Sequence, residues 1–239
     1  MERKKYVVIM AAGSGTRMGG DLPKQFMEIG GKAILRRTIE AFVKACPGIT
    51  VVTVLPEVHM EYWRDYCIKN NFICPQIIVK GGITRFHSVR NALSKIPDGA
   101  LVAVHDGVRP FVTPELIRKM YERAAHVPAL IPVLPCVDTM KMLEKKKDAE
   151  GNPFLDEIPG AHVDRELLYG AQTPQIFHSE ILSEAYSQAY DTAFTDDASV
   201  VSAHGKKLSF MIGERLNIKI TTQEDLVLAK AILEVIGKN

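Results

Sequence analysis

The chain has 239 residues, of which 46% are hydrophobic and 24% charged, with a net charge of +2 and a pI near 8.3. This balance is typical of an ordinary globular protein and is too mildly basic to indicate nucleic acid or an anionic membrane as a partner. No apolar run approaches the roughly 20 residues of a membrane span, and the charged segment 1–6 lacks the apolar core of a signal peptide. We therefore expect a cytoplasmic protein that binds neither nucleic acid nor a membrane.

The four cysteines give no sign of a metal centre or of disulfides. Cys46, Cys67, Cys74 and Cys136 show no C-x-x-C pairing and have no histidines nearby at zinc spacing. We expect reduced thiols in a reducing compartment and no metal held by protein ligands alone.

The first element in chain order is a short apolar strand, residues 6–10, that runs into the glycine-rich loop A-A-G-S-G-T-R-M. Gly13 and Gly15 let backbone amides approach an anion closely, while Arg17 and Lys24 supply cations. The loop indicates a seat for a nucleoside triphosphate. It meets neither the P-loop pattern nor the full dinucleotide pattern, and an ordinary strand-to-loop turn is the alternative for the glycines alone.

Apolar runs then alternate with segments of helical spacing. Strands are predicted at 49–55, 77–79, 100–104 and 129–133, and helices at 34–43, around Trp63, at 89–96 and at 114–125. This alternation predicts βαβ units and therefore an α/β, Rossmann-like fold, with a mostly parallel central sheet flanked by helices. We expect one domain over residues 1–239, with its site in the loops after the strands.

Two of these loops carry polar side chains. In G-G-I-T-R-F-H-S-V, residues 81–89, Gly82 allows close packing against a flat ligand, and Ser88 either reads a base edge or bonds within the first turn of a helix. In V-H-D-G-V-R-P, Asp106 follows a buried strand, where a carboxylate can hold a metal or a ligand hydroxyl. Arg109 is a further cation for a ligand, or it pairs with Asp106 in the turn. His105 has no nucleophile beside it and is expected to be structural.

A hairpin is predicted at residues 137–160. Two strands, 138–143 and 154–158, flank the polar stretch K-K-K-D-A-E-G-N-P, whose lysines are read as a solvated tip. A lone hairpin is unstable in water and needs a surface to pack against. The hairpin is therefore expected to be an arm that reaches another surface.

Three polar residues mark the C-terminal third. Thr173 precedes a proline, which favours an extended backbone that can aim its hydroxyl at a ligand. Thr195 is a candidate N-cap for the helix opened by T-D-D-A-S, and helix N-termini also attract phosphate. Lys219 stands between two isoleucines on a predicted strand that leads to a final helix from Thr222, so it faces the opposite way from them and could face solvent.

Seven motifs, taken together and in order, resemble the sugar-phosphate nucleotidyltransferases, most closely the cytidylyltransferases that act on 2-C-methyl-D-erythritol 4-phosphate. They are A-A-G-S-G-T-R-M with P-K-Q, G-G-x-x-R-x-x-S-V, V-H-D-x-x-R-P, V-D-R, Q-T-P-Q-x-F, T-D-D-A-S and N-I-K-I-T-T. The resemblance covers nearly the whole chain. It implies transfer of a cytidylyl group from CTP to the polyol phosphate with release of pyrophosphate, with Mg²⁺ bridging the triphosphate. Ribitol 5-phosphate cytidylyltransferases share several of these motifs and are the alternative, but V-D-R before Q-T-P-Q favours the first reading.

The resemblance also implies roles for individual residues. Catalysis falls to Arg17 and Lys24. CTP binding falls to Ala11, Ala12, Gly13, Gly15, Thr16, Lys24, Gly82, Ser88 and Asp106. The acceptor is contacted by Arg109, Arg165, Thr173, Thr195 and Lys219, with Arg165 supplied by the partner subunit of a homodimer that the arm clasps. Ile83 stands where family members often carry an acidic residue.

Two other classes of protein fit less well. An NAD-dependent oxidoreductase needs an acidic residue about 20 positions after the glycines, at the end of the second strand, but that strand ends only at residues 55–57. A noncatalytic nucleotide-binding module has no need of both Arg17 and Lys24. The sequence therefore favours a transferase.

Overall fold

The computed structural model describes residues 3–13 and 22–236. Its strands are β1 (Lys5–Met10), β2 (Glu28–Ile29), β3 (Lys32–Ala33), β4 (Thr50–Leu55), β5 (Gln76–Lys80), β6 (Leu101–Asp106), β7 (Ala129–Pro135), β8 (Leu143–Lys147), β9 (Pro153–Glu157), β10 (Tyr169–Ala171), β11 (Gln175–His178) and β12 (Ser209–Ile212). Its helices are α1 (Ile34–Ala45), α2 (Met60–Lys69), α3 (Arg85–Leu93), α4 (Pro114–Ala124), α5 (Ser179–Ala185), α6 (Asp197–Ala203) and α7 (Gln223–Ile236).

Eight of the described strands form one central sheet in the order β5-β4-β1-β6-β11-β7-β12. The eighth strand, β10, pairs with the end of β7 on the same side as β11. Val133 of β7 shows this, since it pairs with β10 on one side and with β12 on the other. Pairing is parallel for β1 with β4 and β6, β4 with β5, and β7 with β12, whereas β10 and β11 run the opposite way. Six strands therefore end at the same edge of the sheet.

Helices cover both faces of the sheet, as the unbroken apolar strands require. Val7 and Ile9 point into one core with α1, α2 and α4, while Val8 points into the other with α3, α5 and α6. The predicted α/β, Rossmann-like architecture with a mostly parallel sheet is confirmed. In the described part of the chain, none of the helices has the length and apolarity that crossing a membrane would require.

A third, smaller core lies beside the strand ends and steadies the loops there. Helix α7 packs over Ile29, Ile34 and Val108, together with Ile220. The amide of Ile220 also donates to the carbonyl of Val108 at 2.9 Å. The segment carrying Lys219 is thereby tied to the loop that follows β6.

The hairpin β8–β9 stands apart as a two-stranded sheet whose residues are almost all exposed. The three lysines of 145–147 lie in β8 and not in the turn, which is Asp148–Asn152, so the predicted strand 138–143 was placed too early. Lys146 pairs with Asp156 across the strands at 2.8 Å, and every residue of β8 is exposed, so the stretch lacks the apolar pattern of a strand. Its role in dimerisation stays a prediction.

Two further predictions about local structure were wrong. Strand β12 was not predicted, and the segment around Lys219 that was predicted as a strand is irregular. Asp196, and not Thr195, caps α6: its carboxylate accepts from the amide of Ser199 at 2.8 Å, while Ser199 Oγ accepts from the Asp196 amide. Aspartate is at least as good a cap as threonine, so T-D-D-A-S contains competing candidates.

Candidate active site

A cleft of about 420 Å³ lies at the common edge where β1, β5 and β6 end. In open α/β sheets this edge is where ligands bind. Its described lining is Met10, Ala11, Ala12, Gly13, Lys24, Gln25, Gly82, Ile83, Thr84, Arg85, Ser88, Asp106, Val108 and Lys219.

The first wall of the cleft is the beginning of the glycine-rich loop. The amide of Ala11 donates to the carbonyl of Val54 at 3.0 Å, which fixes the chain to β4. Buried Gln25 donates from Nε2 to the carbonyls of Ala11 at 2.9 Å and Gly13 at 3.4 Å. The P-K-Q segment is therefore folded back against the loop, and this brings Lys24 to the cleft.

The second wall is the loop between β5 and α3. Ser88 is buried; its hydroxyl accepts from the amide of Gly82 at 2.9 Å and donates to the carbonyl of Thr84 at 2.9 Å. Ser88 therefore bonds within the first turn of α3 and also lines the cleft, and its contact with a base stays a prediction. A Cβ on Gly81 would stand 2.7 Å from the Cβ of Ala12, so only glycine lets the two walls approach this closely.

Asp106, the last residue of β6, sits among cations. Its Oδ2 accepts from Arg109 Nε at 3.1 Å and lies 3.2 Å from Lys219 Nζ. Burial alone would raise the pKa of this carboxyl, but the charges of Lys219, Arg85 and Arg109 outweigh burial and hold the pKa well below its usual range. Asp106 is therefore ionised at any physiological pH.

Behind Asp106, hydrogen bonds join three motifs that are far apart in the sequence. The hydroxyl of Thr173 accepts from the amide of Asp106 at 3.1 Å, and Arg109 donates to the carbonyl of Asn217 at 2.8 Å. Asn217 in turn donates from Nδ2 to the carbonyl of Thr173 at 2.8 Å. V-H-D-x-x-R-P, Q-T-P-Q and N-I-K thus form one buried support for the carboxylate.

His105 belongs to this support and not to the cleft. It is fully buried, and its Nε2 lies 3.1 Å from the carbonyl of Arg109. Burial lowers the pKa of His105 to about 4, so the ring is neutral at pH 7. The structural role expected from the sequence fits this placement.

A second ion pair borders the cleft on the α3 side. Arg85 donates from Nη1 and Nη2 to the two carboxylate oxygens of Asp197 at 2.8 and 2.6 Å, and Tyr186 OH donates to the same carboxylate at 2.6 Å. Asp197 is fully buried, whereas the Arg85 side chain is about one third exposed. Burial alone would lower the pKa of Arg85, but Asp197 outweighs burial and keeps it above its ordinary value.

The structure brings most of the predicted CTP contacts together. Ala11, Ala12, Gly13, Lys24, Gly82, Ser88 and Asp106 line the cleft, as does Lys219 from the acceptor set. Arg109 and Thr173 lie behind Asp106, and their polar groups are used in its support. Arg165 and Thr195 are exposed and are not part of the described lining; Arg165 donates to the carbonyl of Val137 at 3.2 Å, at the base of the arm. Gly15, Thr16 and Arg17 lie outside the described residues.

The sequence reading gave no role to three residues that shape the site: Gln25, Arg85 and Asp197. Each was present in a quoted motif, as the last residue of P-K-Q, the arginine of G-G-x-x-R and the second aspartate of T-D-D-A-S. Gln25 and Asp197 are buried and polar, and both make hydrogen bonds. The signal that could have identified them is that each is a polar or charged residue of a quoted motif to which no role had been given.

The carboxylate of Asp106 is the cleft feature that best suits a cation. Within residues 3–13 and 22–236, no group of three or more histidine, cysteine or acidic side chains converges as a metal centre would require. Mg²⁺ keeps several waters and commonly takes one or two carboxylates together with substrate phosphates. The carboxylate of Asp106 would fit a Mg²⁺ ion that takes its other ligands from water and a bound phosphate.

Comparison with known proteins decides the family. The family model of 2-C-methyl-D-erythritol 4-phosphate cytidylyltransferase (IspD) matches residues 6–235. The chain belongs to this family. Its relatives named 2-C-methyl-D-erythritol 4-phosphate cytidylyltransferase include one from Phocaeicola vulgatus, 45% identical over 96% of this chain and 99% of that protein, and one from Porphyromonas gingivalis, 43% identical over 98% and 99%.

Solved structures agree with the IspD assignment. The chain is similar to 4-diphosphocytidyl-2C-methyl-D-erythritol synthase from Anaerococcus prevotii, with a TM-score of 0.75, 28% identity, and coverage of 97% of this chain and 99% of that one. It is also similar to part of the bifunctional IspDF of Campylobacter jejuni, with a TM-score of 0.75, 25% identity, and coverage of 95% of this chain and 54% of that one. The predicted family is confirmed.

Proposed function

We propose that this IspD-family enzyme transfers the cytidylyl group of CTP to 2-C-methyl-D-erythritol 4-phosphate and releases pyrophosphate. The observation that carries the proposal is the cleft at the strand ends, where the beginning of the glycine-rich loop, Lys24 and Lys219 line a space suited to a triphosphate. Family membership supplies the acceptor. The alternative acceptor suggested by the sequence, ribitol 5-phosphate, is included in the assay below.

The chemistry needs little from the protein beyond alignment and positive charge. An oxygen of the acceptor phosphate attacks the α-phosphorus of CTP in line, the α–β bridging bond breaks, and its electron pair leaves with pyrophosphate. A phosphate monoester has its second pKa near 6, so this nucleophile is already an anion and no general base is required. The neutral, buried His105 is consistent with such a mechanism.

We assign the residues of the chain to three tasks. Lys24, with Arg17, stabilises the charge that builds on the α-phosphate and the leaving group. Asp106 is suited to accept a hydrogen bond from a ribose hydroxyl or to contact a cation. Lys219 is about 44% exposed and stands 3.2 Å from Asp106, from where it can reach an anionic acceptor. When bound, Mg²⁺ neutralises charge on the triphosphate oxygens.

A pyrophosphate-release assay tests this function. CTP, UTP, ATP and GTP are each offered with Mg²⁺ and either methylerythritol phosphate or ribitol phosphate. We expect turnover with CTP and methylerythritol phosphate, and none with Mg²⁺ withheld. Equal turnover with UTP or ATP would refute the cytidylyl assignment, and faster turnover with ribitol phosphate would reassign the acceptor.

We also propose a homodimer that is held by the arm. Leu143, Phe154 and Leu155 on the arm leave 46, 45 and 62% of their surface exposed, more than a free-standing hairpin tolerates well in water. Arg165 lies at the base of this arm, away from its own cleft, which suits a residue that serves the partner's acceptor site. The four free cysteines suit a reducing, cytoplasmic compartment.

Subunit mixing tests the shared site. Sedimentation should give a dimer at micromolar concentration. Lys24→Ala and Arg165→Ala subunits, each inactive alone, should on exchange recover activity in about a quarter of the sites, because half of the dimers are then mixed and each holds one intact composite site. An active monomer, or mixed subunits without recovery, would contradict the shared site.

A further inference from the structure

The carboxylate of Asp197 is the most completely enclosed charge near the cleft. It is the first residue of α6 and has no exposed surface. Three donors reach it, namely both terminal nitrogens of Arg85 and the hydroxyl of Tyr186, at 2.6 to 2.8 Å. A buried carboxylate is tolerated only with such pairing, and a bidentate arginine fork also fixes orientation.

Asp197 is held rigidly by the sheet. Gln175 of β11 accepts from the amide of Ala198 at 2.8 Å through its Oε1. Its Nε2 donates to the carboxylate of Asp196 at 2.7 Å. Both bonds tie the start of α6 to a central strand, so Asp197 presents its oxygens from a fixed position.

Arg85 connects this fixed carboxylate to the cleft. It is the first residue of α3, lines the cleft, and leaves about one third of its side chain exposed there. Arginine is a long and mobile side chain when unpaired. The Asp197 fork confines its planar head group to one orientation, so Arg85 contributes shape and direction to the cleft wall as well as charge.

We propose that Asp197 and Tyr186 are positioning residues of the nucleotide site, holding Arg85 on the cleft wall in the orientation in which it contacts bound CTP. The inference rests on the proposed function, since it assumes that the cleft binds CTP. Asp197 and Tyr186 act through Arg85 and do not touch the nucleotide themselves.

The test measures the Kd of CTP with Mg²⁺ by calorimetry, which does not depend on turnover. Asp197→Asn should weaken CTP binding by about tenfold or more, because misplacing a contacting group by about 1 Å is costly. Arg85→Lys keeps the charge but loses the fork, so it should weaken binding to a similar extent. The double variant Arg85→Met with Asp197→Asn should be no more than about twofold weaker than Asp197→Asn, because both changes remove the same contact.

The chain offers a control in a second bidentate pair, whose carboxylate is more exposed than that of Asp197. Arg3 donates to the two carboxylate oxygens of Glu180 at 2.9 and 2.6 Å, outside the cleft lining. Glu180→Gln should leave the CTP affinity within about twofold of wild type. An equal loss in Glu180→Gln and Asp197→Asn would indicate general destabilisation and overturn the inference.

The remaining outcomes are also decisive. CTP affinity that is unchanged in Asp197→Asn overturns the positioning role while leaving the proposed function intact. A wild-type protein that fails to bind CTP overturns the proposed function and this inference with it. If Asp197→Asn does not fold, Tyr186→Phe retains the ion pair but loses one donor to Asp197; it should weaken CTP binding about threefold, and unchanged affinity there would equally reject the role.

Discussion

The contact between the two walls of the cleft predicts a strong effect of one added methyl group. A Cβ on Gly81 would lie 2.7 Å from the Cβ of Ala12, and 3.4 Å from both the Leu55 carbonyl oxygen and Ser88 Oγ. Carbon atoms in contact prefer about 3.5 to 4.0 Å, so Gly81→Ala must push the walls apart by about 1 Å. Neither methyl can rotate away, because each is attached directly to the backbone.

We expect Gly81→Ala to destabilise the fold by about 1 to 3 kcal/mol, as overpacking usually does. A displacement of about 1 Å at a site that works by alignment should also lower kcat/KM for CTP by roughly a hundredfold. Pyrophosphate release measures the second effect and urea unfolding the first. Gly170→Ala is the matched control, because its new Cβ has open space up to 4.0 Å from the Leu134 carbonyl oxygen.

A compensating change separates the clash from other consequences of losing a glycine. Ala12→Gly in the Gly81→Ala background transfers the methyl from one wall to the other, so the double variant should regain most of the lost kcat/KM. Activity near wild type in Gly81→Ala alone would refute the claim that the wall contact sets the cleft. A double variant as inactive as Gly81→Ala would show that the backbone of Gly81, and not the clash, is what matters.

Three other predictions concern charge. Burial lowers the pKa of His105 from 6.5 to about 4, so protonation favours the unfolded chain. The free energy of unfolding should therefore fall by about 3 kcal/mol as the pH drops from above 6.5 to about 4. Urea unfolding at several pH values should show a smaller fall for His105→Gln. Lys24→Ala should lower kcat and kcat/KM together by about a hundredfold or more, with an unchanged kcat arguing against transition-state contact. Lys219→Ala should raise KM for the polyol phosphate while KM for CTP stays nearly constant, and the reverse pattern would assign Lys219 to the nucleotide.

The sheet could be predicted from the sequence because its central strands are long, apolar and buried on both faces. The apolar runs at residues 49–55 and 129–133 fit few structures other than a buried strand. Strand β12 is short, and its burial alternates between half-buried and exposed, so S-F-M-I carries little signal. The lysine-rich part of β8 was mistaken for a turn because no residue of that strand is buried. A strand is recognised in a sequence by the apolar residues of its buried face, and β8 has no such face.

Candidate site residues could be predicted where a motif follows the end of a strand. They were harder to predict where a side chain depends on a hydrogen-bond partner far away in the sequence. Asp106 and Lys24 follow from their places in the chain. The partners of Asp106 do not, since whether Arg109 faces the cleft or the carboxylate depends on Asn217, 108 residues away. Asp197 is similar, because its partner Arg85 is 112 residues distant and no local rule relates them.

The position of β11 has a consequence for how the protein is made. Strands β6 and β7 are consecutive in the chain but are separated in the sheet by β11, which pairs with both. On a ribosome, the two halves of the sheet would therefore emerge with an empty slot between facing edges, and unpaired edges invite pairing with other chains. The slot closes only when residues 175–178 have been made, so nascent chains that end before them should aggregate most readily. The carboxylate at the end of β6 should gain its hydrogen-bonded support only after that point.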